Sequence, residues 1–275
     1  MAESINAERQ SRIGRVRPAP DHAPADAPRT FDPRLVSLSA PASFEAEQYR
    51  TLRARLESRQ EGKVLQVIAV TSATVGDGKT TTAINLAGAL AQSSEARVLL
   101  LDADLRRPSV ESQLGWDGPG LSDVILDPDR DLQGTIRHDP ALNLSVLTAG
   151  RTPDAPYEAL KSARLGSLLE EMRRSYDYIV VDTPPLLPVP DCRLIARWVD
   201  GFLMVVAADR TPRKLFEEGM SLLDPARVIG LVFNGARRPY SRYYGKYQAY
   251  GHPSRHAAPG FRSPSRPIKE IPERD

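Results

Sequence analysis

The sequence predicts an α/β fold built on a doubly wound, mostly parallel sheet, and three observations carry that expectation. Short apolar, β-branched runs alternate with helix-length segments between Val64 and Asn234. The first run leads directly into a glycine-rich turn that opens a helix, and two later runs end in aspartates. Open α/β sheets bind their ligands outside the carboxyl ends of their strands, which is where all three features fall.

The elements follow in chain order. Residues 1–42 are rich in proline, alanine and charge without apolar periodicity, so a disordered N-terminal tail is expected. A helix is expected over Phe44–Ser58, with Ser43 as N-cap, Glu45 and Glu47 in the first turn and arginines later. Its Tyr49, Leu52 and Leu56 recur at helical spacing and can face a core. Strands are expected at 64–71, 97–102, 142–148, 176–182, 201–206 and 228–234, and helices at Thr80–Gln92, Leu160–Arg174, Cys192–Trp198 and Leu215–Leu223. Periodicity stops after Asn234. The chain thus reads as one globular domain over 43–236 and a flexible, Tyr-rich tail over 237–275.

Composition narrows the classes of function. At 275 residues with 41% hydrophobic content the chain can bury one sizeable core. The formal net charge of +2 conceals a basic tail, in which nine Lys/Arg oppose three Asp/Glu after Ala236. A single cysteine, Cys192, excludes an intrachain disulfide framework and fits a reducing compartment. Neither a signal sequence nor an apolar run long enough to span a bilayer is legible, so a cytoplasmic location is expected, with membrane association only through a partner or surface patch.

The stretch T-S-A-T-V-G-D-G-K-T-T-T (71–82) sits between strand and helix as a phosphate-binding loop requires. Gly76 and Gly78, flanking Asp77, let successive N–H groups turn toward phosphate oxygens, and the helix N-terminus adds positive potential. Lys79 is placed to reach the β- and γ-phosphates of ATP, Thr80 to ligate Mg²⁺, and Thr81 to line the same site. The first glycine of G-x-x-x-x-G-K-[ST] is replaced by Ala73. The expected architecture is therefore a P-loop NTPase fold of the deviant Walker A type.

In L-L-L-D-A-D-L-R-R-P (99–108), alternation places Asp102 and Asp104 on one side of a strand end, followed by Arg106. The run I-V-V-D-T-P-P (179–185) ends in Asp182, located like the acidic residue that meets Mg²⁺ through water in P-loop NTPases. Any one of these aspartates could be a helix cap; three with a P-loop in one chain point to a site.

Together these motifs resemble the bacterial tyrosine kinases of capsule and exopolysaccharide systems, over roughly Phe44 to Gly235. The resemblance implies Asp102 as base for a tyrosine hydroxyl, Asp104 and Asp182 as Mg²⁺-directed carboxylates, and Arg106 as part of the catalytic motif. It also matches Y-D-Y-I-V-V-D-T-P-P-L-L-P-V-P-D, which includes Asp191, to the family's Walker B region. Glu47, Arg50 and Arg53 are similar to its E-x-x-R-x-x-R motif and imply ring-like self-association; a solvated charged face is the competing reading. Tyr240, Tyr243, Tyr244, Tyr247 and Tyr250 resemble its C-terminal autophosphorylation cluster, against a basic-aromatic strip for anionic lipid or nucleic acid. No nucleic acid partner is expected.

The implied function is ATP-dependent autophosphorylation on tail tyrosines that regulates polysaccharide assembly or export. The implied partners are a membrane adaptor of the polysaccharide co-polymerase type, which recruits the kinase to the inner face of the membrane, and a cognate tyrosine phosphatase. Two alternatives share the fold. One is a switch ATPase of the partitioning or division-site type, whose K-G-G-x-G-K-[ST] loop would need a lysine where Thr74 stands; the other is a nucleotide-binding scaffold. Related P-loop ATPases suggest Asn234 near the adenine base, and a strand-end turn is the equal alternative.

Overall fold

The structure, a computed structural model, describes residues 31–58 and 65–236. The tyrosine cluster, the basic tail and residues 1–30 lie outside the described residues.

Seven strands form one sheet in the order β3-β4-β2-β5-β1-β6-β7. They are β1 (Val67–Ser72), β2 (Val98–Asp102), β3 (Arg137–Asp139), β4 (Leu144–Leu147), β5 (Tyr178–Asp182), β6 (Gly201–Ala207) and β7 (Val228–Asn234). All pairings are parallel except β3 with β4. β1, β2, β5 and β6 are buried at every position, as expected of parallel strands covered on both faces, and this is why they read as continuous apolar runs. Alternate residues feed two cores. Val67, Ala69, Leu99, Leu101, Ile179 and Val181 face one, and Ile68, Val70, Val98, Leu100 and Val180 face the other.

The second core is covered by α1 (Val36–Ser39), α2 (Phe44–Ser58) and α3 (Lys79–Ala91). α3 is buried at eleven of its thirteen positions, because it lies between the sheet and the two preceding helices. The remaining helices are α4 (Val110–Leu114), α5 (Leu121–Leu126), α6 (Leu132–Thr135), α7 (Pro156–Lys161), α8 (Ala163–Ser175), α9 (Asp191–Ile195) and α10 (Arg213–Ser221).

Three features depart from the sequence reading. The segment from Phe31 to Pro41, expected without order, is packed: Leu35 is fully buried, and Asn85 of α3 accepts from the Ser37 N–H and donates to the Arg34 carbonyl. A Cβ at Gly88 would lie 2.7 Å from Leu38 Cδ2 and 3.2 Å from Ser37 Cβ, so strap and helix approach closely at this glycine. The prolines and charges of residues 1–30 hid the short apolar run that begins at Phe31, whose Leu35 enters the core with Phe31 and Leu38 packed against it. Second, the helix expected over 160–174 is two helices, since Ser162 leaves the helical conformation and its hydroxyl accepts from the Arg164 N–H to cap α8. Third, the R-H-D of β3 has no apolar signature; it is recruited as an antiparallel edge by β4.

In α2, Ser43 accepts from the Ala46 N–H as an N-cap should. Glu47 pairs with Arg50, whereas Arg53 turns to Glu57 at 2.8 Å and donates to the Ala89 carbonyl of α3 at 3.0 Å. Arg53 therefore fastens α2 to the P-loop helix within its own chain.

Leu35→Ala should lower stability by about 2–4 kcal/mol, because the strap covers a core that cannot collapse to fill the gap. Urea denaturation checks this, and an unchanged midpoint would mean that the strap contributes nothing to the fold.

Candidate active site

The site forms where the sheet order brings the carboxyl ends of β1, β2 and β5 together. The loop after β1 turns through Gly76 and Gly78 at φ of +84° and +92°, values that favour glycine. Lys79, the first residue of α3, extends across β5 and donates to Asp104 Oδ2 at 2.9 Å, with Asp182 Oδ1 at 4.0 Å. Thr80 is buried and its hydroxyl donates to Asp182 Oδ2 at 2.6 Å while accepting from the Ser109 hydroxyl at 2.9 Å. Thr81 follows on the first turn of α3, half-buried.

Asp102 and Asp182 are register neighbours on β2 and β5, and both are fully buried. Asp102 accepts from the backbone N–H groups of Asp104, Ser109 and Val110 at 3.0–3.1 Å. Burial and the charge of Asp182 nevertheless raise its proton affinity well above that of an ordinary carboxylate. Burial also raises Asp182, against the opposing pull of Lys79 and the Thr80 hydroxyl. For Lys79, burial works against the charge, but Asp182, Asp104 and Asp102 more than offset it and hold the ammonium above its usual value. The centre is one cation among three carboxylates, two of them competing for protons.

Arg106 is half-exposed and forks onto Asp191 with contacts of 2.6 and 3.1 Å; Asp191 is completely buried at the start of α9. This pair ties the loop after β2 to the chain after β5. Asp77 is buried, and its side chain accepts from Thr74 within the loop and from Thr211 beyond β6. Asn234 Nδ2 donates to the Asp77 carbonyl at 3.0 Å, so this amide holds the phosphate loop from the end of β7. Ser109 and Thr211 escaped the sequence reading. Each is a common hydroxyl in a loop, and only the strand order brings it to the site.

These residues fit a phosphate chain and a hard cation. The two left-handed glycines expose the loop amides, Lys79 supplies positive charge, and buried Asp182 Oδ1 has no hydrogen-bond partner. Among the described residues no group of three His, Cys, Asp or Glu side chains forms a metal cage. Mg²⁺ bound here would accordingly rely on Thr80, Asp104 and Asp182 together with phosphate and water oxygens, the usual habit of that ion.

Fold and site define a P-loop nucleotide-binding protein. The AAA domain family matches residues 65–196. The tyrosine-protein kinase YwqD of Bacillus subtilis is 32% identical over 78% of this chain and 90% of its own length. The succinoglycan biosynthesis transport protein ExoP of Rhizobium meliloti is also 32% identical, over 77% of this chain but only 29% of ExoP. Among solved structures, the kinase domain of the Escherichia coli tyrosine kinase ETK is similar with a TM-score of 0.69 and 30% identity, covering 80% of this chain and 88% of that one. The septum site-determining protein MinD of Pyrococcus horikoshii, at 22% identity and a TM-score of 0.54 over 64% of this chain and 72% of that one, shares the fold alone. The chain belongs to the bacterial tyrosine kinase family and is a protein-tyrosine kinase. The switch-ATPase alternative keeps the fold but lacks both this identity and the loop lysine, for which Thr74 stands.

Two outcomes are expected. In Gly78→Ala the new Cβ would lie 1.9 Å from Asn234 Nδ2 at a left-handed φ, so nucleotide binding should fall at least ~10-fold as loop strain opposes it. Titration with a fluorescent ATP analogue, beside a circular dichroism spectrum showing a retained fold, reads this. Asp182→Asn should raise the melting temperature of the nucleotide- and metal-free protein at pH 8 by roughly 2–6 °C, since it removes a buried charge. The wild-type carboxyl has a raised pKa, so its stabilising contribution is complete below the unfolded-state value and is lost as pH rises through the folded one. The advantage of the variant should therefore shrink on acidification, and a gap independent of pH would contradict this account.

Proposed function

We propose that this kinase transfers the γ-phosphoryl group of ATP, bound with Mg²⁺, to Tyr240, Tyr243, Tyr244, Tyr247 and Tyr250 of neighbouring copies, and thereby regulates assembly or export of an exopolysaccharide or capsule. The observation that carries this reading is the grouping of Lys79, Thr80, Asp102, Asp104 and Asp182 at adjacent strand ends. Lys79 would exchange its contact with Asp104 for the phosphates, and Thr80 with Asp104 and Asp182 would hold the cation. The loop amides and Lys79 oppose the charge of the transferring group. Asp102 is suited to take the tyrosine proton, because burial makes it a stronger base than an exposed carboxylate. Arg106 keeps this loop in place through Asp191.

The relation to ExoP, named for succinoglycan biosynthesis transport, supports a polysaccharide role. No helix among the described residues is long and apolar enough to cross a membrane. Recruitment from the cytoplasm by a membrane adaptor, of the polysaccharide co-polymerase type, fits that feature. Self-association through Glu47, Arg50 and Arg53 of α2 would bring tails to neighbouring sites, and a cognate tyrosine phosphatase would reverse the modification. Each phosphate adds about −1.5 to −2 charges, so a fully modified cluster would reverse the basic character of the tail.

Incubation with ATP·Mg²⁺, followed by peptide mass spectrometry, should map phosphotyrosine within 240–250 and lose it in Lys79→Met. ATP hydrolysis without phosphotyrosine, even with the adaptor's cytosolic segment present, would overturn the proposal.

A further inference from the structure

The phosphate loop is gripped on the side away from its acids. Beyond β6 the chain turns through Asp209, at a φ of +60°, and the N–H groups of Arg210 and Thr211 both donate to the Ala207 carbonyl. The Thr211 hydroxyl accepts from the Ala207 N–H at 2.9 Å and donates to Asp77 Oδ1 at 2.7 Å. The other oxygen of Asp77 accepts from the Thr74 N–H and hydroxyl, each at 3.0 Å. Asn234 completes the grip at the Asp77 carbonyl. This clamp fixes the β6 turn against the crest of the loop.

The clamp sets Arg210 over Gly76. A Cβ built on that glycine would lie 3.6 Å from Arg210 Nη2, and both residues are exposed. Among the described residues no carboxylate pairs with Arg210, whereas Arg213, three residues on, is tied to Glu217. An exposed guanidinium beside the amide groups of a phosphate loop is free to meet a phosphate oxygen that those amides bind, and such a charge-assisted contact is strong. The strand order gives the position further meaning. Lys79 and the aspartates approach the loop from the β5 side, and Arg210 approaches from β6, so a phosphate chain in the loop lies between two cations. Thr74 supplies no second charge, being a neutral hydroxyl that donates to Asp77.

We propose that Arg210 contacts the γ-phosphoryl group of the bound nucleotide from within the same chain, as a charge-stabilising catalytic residue. In the transfer, the bond from the γ-phosphorus to the β–γ bridging oxygen breaks and a bond to the tyrosine oxygen forms. The phenolic proton passes to Asp102 and ADP departs with the electron pair of the broken bond. Arg210 bears on the oxygens that gain charge during this exchange. The catalytic part rests on the tyrosine-kinase reading above; the phosphate contact does not.

The test uses the full chain and the variants Arg210→Ala and Arg210→Lys. Affinities for ADP and for a non-hydrolysable ATP analogue, both with Mg²⁺, are measured by calorimetry. Rates of phosphotyrosine formation at saturating ATP are measured in parallel. Arg210→Ala should weaken the analogue on the order of 10-fold while leaving ADP unchanged, as loss of a charge-assisted contact to the terminal phosphate requires. The rate at saturation should fall on the order of 100-fold, with partial recovery in Arg210→Lys. Equal loss for ADP and the analogue, or no loss for either, would overturn the assignment. If the wild-type chain forms no phosphotyrosine, the kinase reading fails while the ratio of the two affinities still decides the role of Arg210.

Discussion

Three carboxylates, Asp102, Asp104 and Asp182, are buried around the single ammonium of Lys79, and the architecture is arranged to hold that unfavourable cluster in place. Desolvated like charges repel, and one cation offsets only part of the cost. The remainder is met by directed hydrogen bonds: three backbone N–H groups on Asp102, the Thr80 hydroxyl on Asp182, and the Arg107 N–H on Asp104. A parallel sheet supplies these positions because its strands end side by side, so that residues distant in sequence share one edge. A site held in this tension gains from any ligand that brings its own cation and phosphates.

Rigidity of the surroundings follows from the same requirement. α3 carries Lys79 and Thr80 and is enclosed on nearly all sides by the sheet, α1 and α2. The strap at Leu35, the amide of Asn85 and the Arg53 contact to Ala89 all restrain this helix from its outer face. On the opposite flank, Asp77 is fixed to β6 through Thr211 and to β7 through Asn234. The phosphate loop is thus fastened from both edges, and its amide groups need little rearrangement to receive an anion.

The same geometry separates two roles for acidic residues that composition cannot distinguish. Asp77 and Asp191 are buried and fully engaged, the first in shaping the loop and the second in holding Arg106. Asp182 retains an oxygen without a hydrogen-bond partner, and Asp102 is driven toward a higher proton affinity by its surroundings. Asp77 and Asp191 thus have both carboxylate oxygens satisfied, whereas Asp102 and Asp182 remain under electrostatic strain.

The order of strands and helices, the phosphate loop and the aspartates at strand ends were legible in the sequence alone. Continuous β-branched runs, left-handed glycines before a lysine and acids closing apolar strands are local signals with local physical causes. Tertiary structure alone decided the rest. Ser109, Thr211 and Arg210 carry no pattern, and Asn85 looks like any polar residue on a helix; each gains its role from a neighbour far away in the chain. The same holds for Leu35, whose surroundings read as disordered, and for the contact of Arg53 with the Ala89 carbonyl. Strand order sets which loop ends meet, and burial sets which charges are costly, and neither property resides in any short stretch of sequence.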